Sequence, residues 1–348
     1  MTPKKKKKKP LQQPTRMAKP TVVLWPYVFT CRSDWDVRMQ WVANSLRSLD
    51  YDVYRHHKMS CCKDYPIYQG QDTCDIVIYN HTDISLIDLP QSIQAERTWF
   101  FKTTVPDRYQ TTLDDLGYGS YSSITYEKPD YENATDEEVQ KFFGTRVKKW
   151  LDDNACKWGN NHFSIQPELD KEDYYLVLGQ CGNDEVVTHQ DFGSYFPTLI
   201  GIIKELNRVG DRSIVVKLHP KMHEKGNPLK IADKIRKINP DITVYHDYSA
   251  IHPLLEKAYC VITGNSGAGF EAMMHHKPII SFAYPEYHWA TYDLRKRCDL
   301  HRAIQVDNWF DRGKSDRFLH WYMDKYCFFD EPSALRRVKE LLTRDGYC

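Results

Sequence analysis

The chain has 348 residues, 41% of them hydrophobic and 13% aromatic, and a formal net charge of +1. That length suits two domains of roughly 150 residues each, and the apolar content excludes an intrinsically disordered chain. The near-balance of charge excludes a global field that would demand a nucleic-acid partner, and none is expected.

Locally the charge is uneven. Lys4 to Lys9 is an unbroken lysine run bracketed by Pro3 and Pro10. Like charges repel, so residues 1–19 are expected to be a disordered basic tail outside the fold. Such a run can also make peripheral contact with an anionic membrane. Polar residues follow it rather than an apolar segment, so it does not read as a secretory signal. No apolar stretch approaches the roughly 20 residues needed to cross a bilayer. A cytoplasmic chain, at most peripheral at a membrane, is the expectation. Its ten cysteines then read as reduced, and without C-x-x-C spacing they do not suggest zinc.

In chain order, Thr21 to Trp25 (TVVLW) has the pattern of a buried strand. A helix follows with Met39, Val42, Leu46 and Leu49 on one face. Asp34-Trp35-Asp36 imitates an Asp-x-Asp metal signature. With Ser33 ahead of it, it reads better as a helix start with acids in the first turn. Asp75 to Tyr79 and Thr98 to Phe101 read as strands, Gly117 to Ser123 as a loop, and Glu137 to Trp150 as a helix. Asp152 to Glu172 is polar and irregular, the expected linker. The second half alternates more cleanly. Strands are predicted at Tyr174–Leu178, Ser213–Leu218 and Ile242–Tyr245. Helices carry Phe196, Leu199, Ile203 and Leu206, then Leu229 to Ile238, then Ile251 to Lys257. This βαβ alternation predicts a doubly wound parallel sheet, in which ligands bind at strand carboxyl ends.

Three polar turns fall at such ends: Gln180 to Asp184, His219-Pro220, and Gly264-Asn265-Ser266-Gly267. The last opens a helix with Phe270, Met273 and Met274 on one face, before an apolar run from Pro278 to Phe282. A Gly/Ser turn entering a helix offers bare N–H groups to an anion. Pro220 restricts His219 to extended geometry at the sheet edge, and Lys217 alternates onto the same face. Lys217, His219, Pro220, Asn265, Ser266 and Gly267 are therefore the candidate phosphate site of a nucleotide. Tyr284, Tyr287, His288 and Trp289 follow the last strand and could stack on a base or sugar. Ala334 to Leu342 is amphipathic and could pack on either half.

The set Gln180-x-x-x-Asp184, Lys217-x-His219-Pro220 and Asn265-Ser266-x-x-Gly269-x-Glu271 resembles the capsular polysaccharide synthesis glycosyltransferases of the Kps type, β-Kdo transferases and their relatives. Thr112 to Gly117 followed by Ser122-Ser123 is similar to that family's acidic-Gly loop. The resemblance spans roughly residues 95–295. It implies a GT-B-like α/β architecture, with two Rossmann-like doubly wound domains facing across a cleft. The expected layout is an acceptor-side domain over 20–160 and a nucleotide-sugar domain over 161–348, whose last helix could cross back.

The resemblance further implies transfer of a sugar from a nucleotide-sugar donor, with CMP-Kdo as its suggestion, onto a glycan or glycolipid acceptor. Retention of anomeric configuration and metal independence are expected, with no cofactor. Asp184 would be the catalytic nucleophile and Asp114 the acid/base. Glu271 would accept ribose hydroxyls, and Gln180 would position its neighbours. Two other readings stay open: a GT-B-like nucleotide-sugar epimerase, and a non-catalytic glycan- or nucleotide-binding module.

Overall fold

A computed structural model describes residues 19–25, 33–56, 62–69, 73–80, 94–107, 109–155, 166–188, 190, 194–222 and 227–346. The lysine run and much of the expected linker lie outside the described residues. Among the described residues twelve strands are formed: β1 (Thr21–Trp25), β2 (Asp52–Arg55), β3 (Thr73–Asn80), β4 (Gln94–Thr103), β5 (Thr111–Asp114), β6 (Tyr174–Leu178), β7 (Ile214–Lys217), β8 (Thr243–Tyr245), β9 (Ala258–Thr263), β10 (Ile279–Ser281), β11 (Tyr292–Asp293) and β12 (Cys327–Phe328). They build two six-stranded sheets, as the α/β reading expects.

The second sheet runs β11-β10-β9-β6-β7-β8, and every neighbouring pair is parallel. Its first strand in sequence, β6, lies at the centre. The chain winds outward to β7 and β8, then returns to place β9, β10 and β11 on the other side. The carboxyl ends of β6 and β9 therefore flank the topological switch point, where such sheets open a crevice. All five residues of β6 are buried, which is why a strand covered on both faces reads as a continuous apolar run. The helix Tyr195–Val209 covers one face through Leu199, Ile203 and Leu206, at the spacing of a single helical stripe.

The first sheet runs β12-β5-β4-β3-β1-β2. Its β1 to β4 portion is parallel, but β5 is antiparallel to β4 and β12 antiparallel to β5. The stretch from Thr112, read from sequence as part of an acidic-Gly loop, thus begins inside a strand. The pairing of Asp114 with Phe100 sets it three residues short of Thr103, the end of β4. That is about 10 Å back from the carboxyl edge at ~3.3 Å per residue.

The two halves share material. The segment Asp136–Asp152 is helical throughout, with a wider π turn at Phe143–Val147. Thr135 and Glu138 cap its start reciprocally. Its Phe142, Val147 and Trp150 pack in one cluster with Tyr174, Leu176 and Met273 of the second half. In the opposite direction, β12 and the helix Glu331–Arg344 return to the first half. There Ala334, Val338, Leu341 and Leu342 bury against Met39, Val42 and Leu46 of the helix Ser33–Ser48. Asp330 caps this last helix in a reciprocal pair with Ser333.

Candidate active site

Gln180 follows β6 and Asn265 follows β9, so they face each other across the switch point. The Gln180 amide spans it completely: its Nε2 donates to Asn265 Oδ1 at 2.9 Å, and its Oε1 accepts from Asn265 N at 3.0 Å. Gly264 permits this approach, because a Cβ there would sit 2.8 Å from Gln180 Oε1. Asn265 Nδ2 in turn donates to Val186 O at 2.5 Å, in the short helix Glu185–Thr188 that Asp184 opens. Asp184 Oδ1 accepts weakly from Val186 N at 3.3 Å, and the residue is half-buried. Gln180, Asn265 and the segment bearing Asp184 are therefore one hydrogen-bonded unit.

Beyond Asn265, the turn enters the helix Ala268–Met274. Ser266 Oγ accepts from Ala268 N at 3.3 Å, and Ser266 O accepts from Tyr287 Oη at 2.6 Å. Tyr287 lies wholly beneath the turn, and a Cβ on Gly269 would come within 2.2 Å of its ring. Gly267 faces the first half, where a Cβ would stand 3.0 Å from Val105 Cγ1. Glu271 is buried and its carboxyl is pushed up to about 7 by desolvation, so it carries a proton much of the time near neutrality.

At the end of β7, His219 Nδ1 accepts from Lys221 N at 3.1 Å and lies 3.6 Å from Cys181 Sγ. With Nδ1 accepting, the neutral ring carries its proton on Nε2 and can donate there. Pro220 is buried in the following turn. Lys217 behaves differently from the expectation of a phosphate clamp. Its ammonium is buried, donates to Asp247 O at 2.9 Å, and is lowered to about 8 by desolvation, which the Asp247 charge partly opposes.

Asp114 requires a correction. It is fully buried. Its Oδ1 accepts from the backbone N–H of Leu116, Gly117 and Ser123 at 2.9, 3.1 and 3.0 Å. Its Oδ2 accepts from Ser123 Oγ at 2.7 Å and Tyr326 Oη at 2.8 Å. Five donors saturate the carboxylate, and antiparallel β5 has drawn it back from the sheet edge. A catalytic acid/base must reach a substrate proton, and this group is instead an internal post for the Gly117–Ser123 segment.

Glu286, which motif reading missed, is the acid that joins the halves. It is buried and accepts from Lys102 Nζ at 3.3 Å, Gly119 N at 3.3 Å and Tyr322 Oη at 3.1 Å. Its only sequence signal is a lone charge within an aromatic run. Of the aromatic residues after β10, Tyr287 supports the Ser266 turn, Tyr284 lies under the Arg295 guanidinium at 3.8 Å, and Trp289 Nε1 donates to Ile124 O at 2.7 Å. Among the described residues, no three His, Cys, Asp or Glu side chains gather as a metal site.

No curated protein matches the sequence of this chain. The family described as capsule polysaccharide biosynthesis protein matches residues 113–303, more than half of it. Among solved structures, the beta Kdo 2,4 transferase of Thermosulfurimonas dismutans KpsC is similar over 93% of this chain and 98% of its own, with 16% identity and a TM-score of 0.58. The beta Kdo 2,7 transferase of the same KpsC is similar over 92% and 99%, with 13% identity and a TM-score of 0.51. At such identities the likeness is one of fold, and it agrees with the GT-B-like expectation. The chain belongs to the capsule polysaccharide biosynthesis protein family, the glycosyltransferase group that its motifs resemble.

Proposed function

We propose that the protein moves a sugar from a nucleotide-sugar donor onto a glycan acceptor, with the donor held at the β6–β9 switch point. The observation that carries this reading is the Gln180–Asn265 bridge. It fixes the Ser266-Gly267 turn and the Asp184 segment in one frame at the place where α/β sheets bind nucleotides. The donor phosphate is taken by Ser266, the Gly267 amide and His219 Nε2, and Glu271 meets the ribose hydroxyls. Lys217 supplies positive potential from behind rather than a direct contact. Fixed donors around a departing phosphate perform the charge stabilisation that a metal performs elsewhere, so transfer is metal-independent in this reading. Asp184, half-buried and only weakly engaged, is the nucleophile of a retaining mechanism. Asp114 is a positioning residue. A CMP-linked acidic sugar is the donor class that the family resemblance favours.

The test is a thermal-shift panel of CMP, UDP, GDP and ADP, followed by transfer assays with the sugar form of the best binder. A ligand that binds only the native state at 100 times its Kd stabilises it by about 2.7 kcal/mol. CMP is expected to give the largest shift. No shift with any nucleotide overturns the donor site, and full turnover in Asp184→Asn removes that residue from the mechanism.

A further inference from the structure

We propose that a cavity beside β11 is a second ligand site, built to hold one pyranose ring of a saccharide. The cavity measures about 210 Å³, room for roughly seven waters at ~30 Å³ each. Trp289, Trp309 and Phe310 give it aromatic walls, and His288, Asp293 and Lys296 give it polar ones.

A sugar ring offers apolar C–H faces and a rim of hydroxyls that donate and accept. A matching site therefore needs flat aromatic surface together with acceptors and a donor. The acceptors are already oriented. His288 is 4% exposed, and its Nδ1 sits 3.0 Å from Pro285 O. A carbonyl can only accept, so Nδ1 carries the proton and Nε2 is left as an acceptor with no partner among the described residues. Burial lowers this imidazole to about 4, which keeps it neutral and accepting at physiological pH. Asp293 is 6% exposed. Its Oδ1 accepts from Arg295 N at 3.0 Å, while its Oδ2 is buried without a hydrogen bond, 3.6 Å from Lys296 Nζ. The unpartnered His288 nitrogen is an acceptor on a cavity-lining side chain, and a ligand hydroxyl would donate to it. The donor is Lys296, whose ammonium lies 5.6 Å from the Trp289 ring centre.

The charged lining is mixed, Asp293 and Asp311 against Lys296 and Lys314, which offers a polyhydroxyl ligand acceptors and donors together rather than the uniformly positive surface that selects a phosphate. Only β10 stands between β11 and β9, the strand that carries the Ser266 turn, about 10 Å at ~4.8 Å per strand, so competition with nucleotide is the arm of the test that separates the two sites. Binding of a sugar ring here stands independently of the donor reading. Only its use, to hold a unit of the acceptor glycan, rests on the transferase proposal.

The experiment titrates the full chain with methyl glucoside and with glucuronate, followed by tryptophan fluorescence and calorimetry. Expected is saturable binding of at least one probe, with a Kd on the order of 1 mM, or about −4 kcal/mol. Lys296→Ala, at a largely exposed side chain, and Trp309→Leu should each weaken it at least ~5-fold while leaving the nucleotide thermal shift unchanged. Failure of both probes to saturate, unaltered binding in Lys296→Ala, or displacement of the sugar by nucleotide would overturn the second site. Loss of the nucleotide shift in the unmodified protein would sink the donor reading and leave this one standing.

Discussion

Two acidic turns, one in each half, look alike in sequence and differ in fate. Asp184 follows parallel β6, at the edge where the sheet opens, and its carboxylate has one weak backbone contact. Asp114 ends antiparallel β5, and its carboxylate is saturated by Leu116, Gly117, Ser123 and Tyr326. The difference teaches that strand direction, more than residue type, decides whether a strand-end carboxylate meets substrate or supports the backbone.

The sharpest way to break this contrast is to mutate both acids. Asp184→Asn is expected to lower transfer by more than ~10³-fold, with nucleotide affinity and unfolding free energy nearly unchanged, as read by kinetics, calorimetry and denaturant midpoint. Asp114→Ala is expected to lose about 3–5 kcal/mol of stability, because it strands five donors, four of them in buried hydrogen bonds. Its midpoint in urea should fall steeply, and whatever protein stays folded should keep binding nucleotide. Equal effects on stability at the two sites would erase the distinction.

A smaller effect tests the turn that the nucleotide site depends on. Gly269→Ala places a methyl group within 2.2 Å of Tyr287, a ring held between the Ser266 carbonyl and Phe270. A loss of about 1–3 kcal/mol is expected from overpacking, together with weaker nucleotide binding. The same substitution at Gly201, where nothing lies within 4 Å, should be neutral or slightly stabilising.

The smallest expected effect is a pH slope from the C-terminal end of the helix Ala268–Met274. His252 Nε2 meets Ala155 O at 3.1 Å, and its Nδ1 meets His275 Nε2 at 2.9 Å. The carbonyl fixes His252 with its proton on Nε2, so its Nδ1 must accept from His275 Nε2, which requires a neutral His252. Burial lowers both, His275 to about 3. The folded values lie below the unfolded value of about 6.5. The pair's stabilisation is therefore fully present above that pH and is lost as the pH falls toward 3. Denaturant midpoints between pH 7 and pH 5 should decline, and His275→Gln should flatten that decline.

The second sheet was legible because β6, β7 and β9 are apolar runs stopped by polar turns, and each of these signals is local. The switch-point pair was half legible: Gln180 and Asn265 stood out, but their mutual bond joins segments far apart in sequence. β5 was hidden because Thr111–Asp114 carries two threonines and an acid, which resemble a loop until β12 and β4 are placed on either side. Glu286 stayed silent because its partners come from Lys102, Gly119 and Tyr322. No motif written along the chain could contain all four. Lys217 was correctly placed at a strand end, but which carbonyl its ammonium would choose depended on the loop after β8.

The return of β12 and the last helix has a kinetic consequence. Translation delivers the first sheet's outer strand and its covering helix only after the whole second sheet has left the ribosome. Domains usually mature in the order they are synthesised. Here the earlier half must wait with the β5 edge unpaired, a template for wrong partners, so the later half is the one poised to mature first.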